Sequence, residues 1–391
     1  MTLRKLLLIV VALGAMACGR GVHCPIDASN ATLISEPENL MSHCASTIIT
    51  NEGEVWCAYY RDLMGNVEDP VNTTIEIVLS RFNIADWQTP QITHTRLFKA
   101  GDRLGDFTQG DYAAYDPVLF DGDGAMRCII QAFEGGESCL AAFDINRTSG
   151  TPLDKMMRCT LTYPTENGTL TVPLKASALR HFYEQQGVVE FENYERPLID
   201  KKFIRHGEWW YNVLCNWYCK EAKPAIIRTK NGIDYEVAFV CPEFEYGCTE
   251  ASIAIDDERL YLIGRSRSPR RGAFLGCYSL SGDCLTTPHQ VGDDGSRPEM
   301  IVYKGKIYAM YNILPLLSND KGEEIYRSRI RLAEVSREGK IIDHWDYEAP
   351  YSMQYFCLNE YGDGVYLTFT EDRFGRADKQ KGNIAFVKSG L

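Results

Sequence analysis

The sequence is short of positive charge, of histidine and of long apolar runs, and each shortage excludes something. Its 41 Lys and Arg are outnumbered by 53 Asp and Glu, a formal charge of −12 over 391 residues. A sequence-independent nucleic-acid binder needs a basic face for phosphates, so no nucleic-acid partner is expected. With only 7 His, and no second cysteine pair at metal spacing beside Cys215 and Cys219, no zinc centre is indicated. No motif calls for a cofactor or a metal. Beyond residue 17 no apolar stretch approaches the roughly 20 residues that span a bilayer. No low-complexity linker divides the chain, so one domain is expected. The composition, 45% hydrophobic and 24% charged, excludes disordered, collagen-like and coiled-coil chains.

Cysteine and aromatic residues are plentiful instead. Met1 to Ala17 reads MTLRKLLLIVVALGAMA: Arg4 and Lys5 precede about a dozen apolar residues ending in small ones, the pattern of a signal peptide. Cys18 follows directly, as in a bacterial lipoprotein signal. The expectation is an exported protein, periplasmic or on the cell surface with a possible lipid anchor through Cys18, and otherwise secreted. Of 14 Cys, the pairs Cys215/Cys219, Cys241/Cys248 and Cys277/Cys284 are close enough in sequence to bridge within hairpins, which export permits. Buried thiols are the alternative.

The strongest organisational feature is a repeated unit: a short apolar strand, a tight polar turn, and a second strand rich in aromatic or β-branched residues. Copies are STIITNEGEVWCAYY from Ser46, PVLFDGDGAMRCIIQAF from Pro117, PLIDKKFIRHGEWWYNVLC from Pro197, SIAIDDERLYLIGRS from Ser252, MIVYKGKIYAMYN from Met300 and FCLNEYGDGVYLTFT from Phe356. Further strand-like segments, such as Thr74–Phe82 and Arg327–Val335, lie between them. Four-stranded repeats at such spacing mark propeller blades. The expected fold is all-β, a six-bladed β-propeller over residues 41–391, after a signal peptide (1–17) and a lead-in segment (18–40). Insertions fall in the second and third blades, one with a short helix at Leu179–Gln186. A β-sandwich joined to another domain is the alternative.

In a propeller the innermost strands start around one end of the central channel, so polar residues there can converge from distant sequence. The residues just ahead of the six hairpins are His43, Asp116, Arg196, Glu250, Arg297 and Tyr355, every one polar.

These positions carry a resemblance. TEASIAIDDERLYLIGRS is similar to the sialidase blade in which a Glu precedes the strand and an Arg ends the hairpin, here Glu250 and Arg265. GSRPEMIVYKGKIYAMYN resembles the next such blade, led by Arg297. QYFCLNEYGDGVYLTFTED resembles the blade of the nucleophilic Tyr and a following Glu, here Tyr355 and Glu371. The acidic loop VEDP lies where sialidases carry their acid/base Asp, which makes Asp69 the match. The resemblance implies a sialidase-like propeller glycosidase. Tyr355 attacks the anomeric carbon, Glu250 takes the phenolic proton, and Asp69 protonates the departing sugar. Arg265 and Arg297 hold a substrate carboxylate, Arg196 and Asp116 contribute further substrate contacts, and Glu371 orients a neighbouring cation. Where sialidases open with Arg-Ile-Pro, this chain reads His43-Cys44-Ala45.

The functional expectation is an exported glycoside hydrolase acting on an oligosaccharide or polysaccharide with a terminal, carboxylate-bearing sugar. A His with Tyr and Arg also suits a polysaccharide lyase on uronate-containing glycan, with His43 as base. A glycan-binding propeller without catalysis is the reading outside enzymes. Tyr355→Phe and Glu250→Gln change volume little and are expected to leave the fold intact.

Overall fold

The structure is a computed structural model, and it describes residues 24–36, 41–62, 73–122, 124–191, 196–216, 221–245, 247–266, 271–372 and 382–391. The signal-peptide stretch, Cys18, Asp69 and Cys219 lie outside the described residues.

Each expected hairpin forms, because alternating apolar residues flank turns that a short polar segment can close. The pairs are Met41–Ile49 with Glu54–Asp62, Tyr115–Gly122 with Ala125–Glu134, Ile204–His206 with Trp209–Asn216, Glu250–Asp256 with Arg259–Ser266, Glu299–Tyr303 with Lys306–Asn312, and Ser352–Tyr361 with Gly364–Asp372. In the first turn Gly53 takes φ +81°, open to glycine at no steric cost, and its N–H donates to Thr50 O at 2.9 Å.

Five of these hairpins grow into four-stranded antiparallel sheets. Ile75–Asn83 and Thr93–Lys99 complete the first, and Glu137–Ile145 and Pro152–Arg158 the second. Gly272–Ser279 and Cys284–Gly292 complete the Glu250 sheet, and Arg329–Val335 and Ile341–Glu348 the Glu299 sheet. The last sheet takes Asn383–Lys388 and then Thr32–Leu33 as its outer strand, so the first and last strands of the described residues are hydrogen-bonded together. Innermost strands pack on one another around an axis: Met41–Ile49 touches both Tyr115–Gly122 and Ser352–Tyr361, and Glu299–Tyr303 touches both Glu250–Asp256 and Ser352–Tyr361. This is a β-propeller arrangement.

The expected six regular blades are corrected to five. The hairpin at Trp209 belongs to a seven-stranded sheet seated between the Tyr115 and Glu250 sheets. There the insertion strands Thr160–Thr165 and Gly168–Pro173 add to Asp234–Val240, and the junction is parallel. The inner position is held by only two residues, Pro197–Leu198, because Pro197 has no N–H to extend a ladder. The one α-helix among the described residues, Ala176–Glu184, seals this sheet with Leu179, Phe182 and Tyr183. It is neither long nor apolar enough to cross a membrane.

Apolar clusters fill the spaces between sheets; one places Trp56, Phe98, Phe107 and Phe143 between the first two blades. Most cysteines lie within these clusters. None of the twelve described cysteines is bonded to another in this structure, Cys241/Cys248 and Cys277/Cys284 included. Cys277 faces Thr286 and Cys284 faces Tyr278 across their strands, so the register keeps the second pair apart.

Candidate functional site

The inner strands begin with interruptions that aim side chains toward the axis. Register shifts between His43 and Ser46, between Tyr115 and Val118, and between Gln354 and Cys357. An extra residue in a strand bends it and redirects its side chain. At these places Cys44 (φ 52°), Asp116 (φ 50°) and Tyr355 (φ 57°) adopt left-handed backbone, as do Arg297 (φ 40°) and Arg327 (φ 52°) at the starts of other strands. Such conformations cost about 1–3 kcal/mol each and persist only where surroundings impose them. Five of them converge on one site.

At its centre Arg297 is almost fully buried and meets three carboxylates. Its Nη2 hydrogen-bonds Asp116, Nη1 lies 2.8 Å from Asp200, and Nε lies 3.4 Å from Glu250, whose other oxygen accepts the Arg297 backbone N–H at 3.1 Å. Arg265 Nη1 donates to Glu250 Oε2 at 2.8 Å, and its Nη2 is 3.7 Å from Asp294. Asp294 also faces Arg327 Nε at 3.4 Å and the half-exposed Arg271 at 3.2 Å. Arg327 hydrogen-bonds Gln354 and stacks on Tyr326. The Tyr355 ring lies between guanidinium groups, 5.2 Å from Arg297 and 5.1 Å from Arg327. His43 meets it edge-on with centroids 4.2 Å apart, and Tyr60 follows at 5.6 Å from His43. Cys44 Sγ is 3.1 Å from the Tyr60 hydroxyl.

Burial and charge set the protonation states. Burial alone would raise the Glu250 carboxyl, but Arg265, Arg297 and Arg327 overcome it and hold its pKa at about 2. Glu250 is thus a carboxylate at neutral pH. Asp200 is pushed up by burial to about 7, against the pull of Arg297. Burial raises Tyr355 to about 12, opposed by Arg327, so the phenol keeps its proton in the resting site. His43 is held well below 6.5 by burial, then by Arg297 and Arg327, so its imidazole is neutral. Its Nδ1 is buried with no hydrogen-bond partner.

Six residues singled out in the sequence, His43, Asp116, Glu250, Arg265, Arg297 and Tyr355, therefore lie in one contiguous cluster. Arg196 is one step away: it stacks over Tyr115 at 5.5 Å, and Tyr115 packs on Tyr60. Glu371 is buried one strand outward, opposite Met353. Asp69 lies outside the described residues. Reading only the residue ahead of each hairpin missed Arg327, Asp200 and Asp294. Arg327 lies two residues before the third strand of its sheet, Arg329–Val335, after the Ile313–Tyr326 excursion, and so opens no hairpin. Asp200 follows the two-residue Pro197 strand. Both carry the left-handed or interrupted backbone that only coordinates reveal. Among the described residues no group of three or more His, Cys, Asp or Glu is arranged to hold a metal ion.

No protein-family model matches the chain, and no curated protein matches it in sequence. Solved structures do match in fold. A Dyadobacter fermentans protein of unknown function superposes with a TM-score of 0.61 at 11% identity, over 92% of this chain and 97% of that one. A Hadza microbial sialidase gives 0.59 at 11% identity, over 92% and 68%. The Trypanosoma rangeli sialidase in complex with the inhibitor DANA gives 0.54 at 12% identity, over 93% and 58%, so this chain spans little more than half of that protein. The fold is that of a sialidase-like propeller.

Proposed function

We propose that this chain is an exported glycoside hydrolase that removes a terminal carboxylate-bearing sugar from a glycan. The observation that carries the reading is Tyr355, a buried phenol set between Arg297 and Arg327 and within electrostatic reach of the ionised Glu250. Tyrosine is an apt nucleophile toward an anionic sugar, because a carboxylate in its place would repel the substrate. A phenol raised to about 12 attacks only if its proton leaves as the new bond forms, which requires a base such as Glu250. In the proposed first step the Tyr355 oxygen bonds to the anomeric carbon, its proton passes to Glu250, and the glycosidic bond breaks. Asp69 gives a proton to the departing oxygen. Water then attacks the anomeric carbon and passes its proton to Asp69, the bond between the Tyr355 oxygen and the sugar breaks, and Glu250 returns the proton to that oxygen.

For the substrate carboxylate, Arg327 is better placed than Arg297. Arg297 already has three carboxylate neighbours and Arg265 has two, Glu250 and Asp294, whereas Arg327 meets Asp294 at 3.4 Å. Arg271 at the rim and Arg196 beside Tyr115 suit outer sugar contacts. The structural neighbours named as sialidases support this class of reaction and a sialic-acid-containing glycan as first substrate to try.

One observation favours a second reading. The neutral His43, its Nδ1 without a hydrogen-bond partner, packs against Tyr355 as a base and acid pair would, and a lyase on uronate glycan would use His43 to remove the proton alpha to the carboxylate. A panel of acidic oligosaccharides, analysed by product mass and ultraviolet absorbance, separates the readings. Hydrolysis yields a free saturated sugar, and elimination yields an absorbing unsaturated uronate. Affinity with neither product would leave only a glycan-binding propeller.

A further inference from the structure

We infer that Cys215 and Cys248 form a disulfide in the exported protein, tying the seven-stranded sheet to the strand that carries Glu250. Their sulfurs lie 4.0 Å apart in the same buried apolar cluster, 33 residues apart in sequence. Neither the hairpin spacing of Cys215 with Cys219 nor that of Cys241 with Cys248 leads to this partnership; the fold creates it. Cys215 is the last residue but one of the Trp209–Asn216 strand and pairs with Leu198 of the two-residue inner strand. Cys248 sits two residues before Glu250, its backbone N–H held by Ala222 O at 3.0 Å and its Sγ 3.4 Å from Glu250 O. Room for the sulfur is provided across the sheet by Gly264, where a Cβ would stand 2.5 Å from Cys248 Sγ.

The position answers a need of the fold. The inner edge of the seven-stranded sheet is its weakest seam, because Pro197–Leu198 offers few ladder hydrogen bonds. Glu250 lies just past that seam, and its oxygens must stay within hydrogen-bond reach of Arg265 and the Arg297 amide. A covalent link at the base of the Glu250 strand fixes both. Joining the sulfurs requires them to close from 4.0 Å to about 2.05 Å. The reaction breaks two S–H bonds and forms one S–S bond. Two electrons and two protons pass to a disulfide-bearing oxidant, which leaves as two thiols. Both thiols are buried in the finished fold, so the exchange takes place while the chain folds outside the reducing cytosol.

The test uses the full chain purified from an exporting host, alkylated without reduction, digested and analysed by mass. A linked peptide containing Cys215 and Cys248 is expected, lost on reduction. Both residues alkylated before reduction, or Cys248 linked instead to Cys219 or Cys241, overturns the inference. Thermal unfolding supplies a second readout, independent of any enzymatic activity. Dithiothreitol should lower the Tm of the parent and of Cys241→Ala by the same several degrees and leave that of Cys215→Ala unchanged. An equal response in Cys215→Ala also overturns it, even where its own Tm is reduced.

Discussion

Tyr355 and Glu250 differ in what their removal does, although both were expected to be silent toward the fold. Tyr355→Phe deletes one hydroxyl beside Arg327; it should cost under about 1.5 kcal/mol of stability while lowering turnover on the order of 10³-fold or more. Glu250→Gln is different, because Arg265 and Arg297 would stay charged and buried without their shared carboxylate. A loss of about 3–5 kcal/mol is expected, together with a turnover loss of about 10²–10⁴-fold. Urea titrations of both variants, read beside their rates, check this; full activity in Tyr355→Phe would remove the proposed nucleophile. His43 yields a pH prediction. Since its folded pKa is held below 6.5, the unfolded chain takes up the extra proton first as pH falls. Stability from the neutral imidazole is complete above 6.5 and declines below it. Asp200 works oppositely, its neutral form favouring the fold until pH rises through about 7. The comparison is therefore between parent and variant: His43→Gln should show a shallower fall of Tm from pH 7 to pH 5. Parallel curves would assign the acid sensitivity elsewhere.

At the scale of elements, the hairpins were legible because alternation and turn residues are local properties. Gly53 and Gly305 both take positive φ, +81° and +71°, in the turns of two inner hairpins, one of four residues and one of two. Their surroundings differ: a Cβ at Gly53 would lie 2.7 Å from the Tyr361 hydroxyl, whereas nothing lies within 4 Å of one at Gly305. Gly305→Ala should cost about 1 kcal/mol, and Gly53→Ala measurably more, in paired chemical denaturation. Equal costs would mean that backbone strain alone decides. The bulges at Cys44, Asp116 and Tyr355 were not legible. Their sequences look like uninterrupted strands, and the left-handed residues are neither Gly nor Asn. Arg327 was legible as the start of a strand-like segment but not as a site residue, because it opens no hairpin.

At the scale of the whole molecule, the ring is closed by hydrogen bonds between its ends. Thr32–Leu33 pairs with Asn383–Lys388, and Ile34 N donates to Ile384 O at 2.8 Å. A chain beginning at Met41 exposes that edge and lacks the buried Ile26, Ala28 and Ile34, which uncovers the apolar clusters they complete. Such a chain should unfold at a Tm several degrees lower, with hydrogen exchange fastest at residues 383–388. Unchanged protection there would show that the ring does not depend on its outer strand. The size of the Trp209 sheet also belongs to this scale. Its parallel junction joins Thr160–Thr165 to Asp234–Val240 across some seventy residues, a pairing that no local pattern announces.

The amino-acid sequence by itself determined an all-β chain of similar hairpins and the polar residues that open them, since strand period, turn chemistry and side-chain type are written in neighbouring positions. Only the tertiary structure decided that five sheets are regular and one is enlarged, that Arg297 is wrapped by Asp116, Asp200 and Glu250, and that Arg327 joins Tyr355. Those outcomes depend on contacts between segments far apart in the chain. Their strength comes from burial, where an unpaired charge is costly and a neighbouring one decides each pKa.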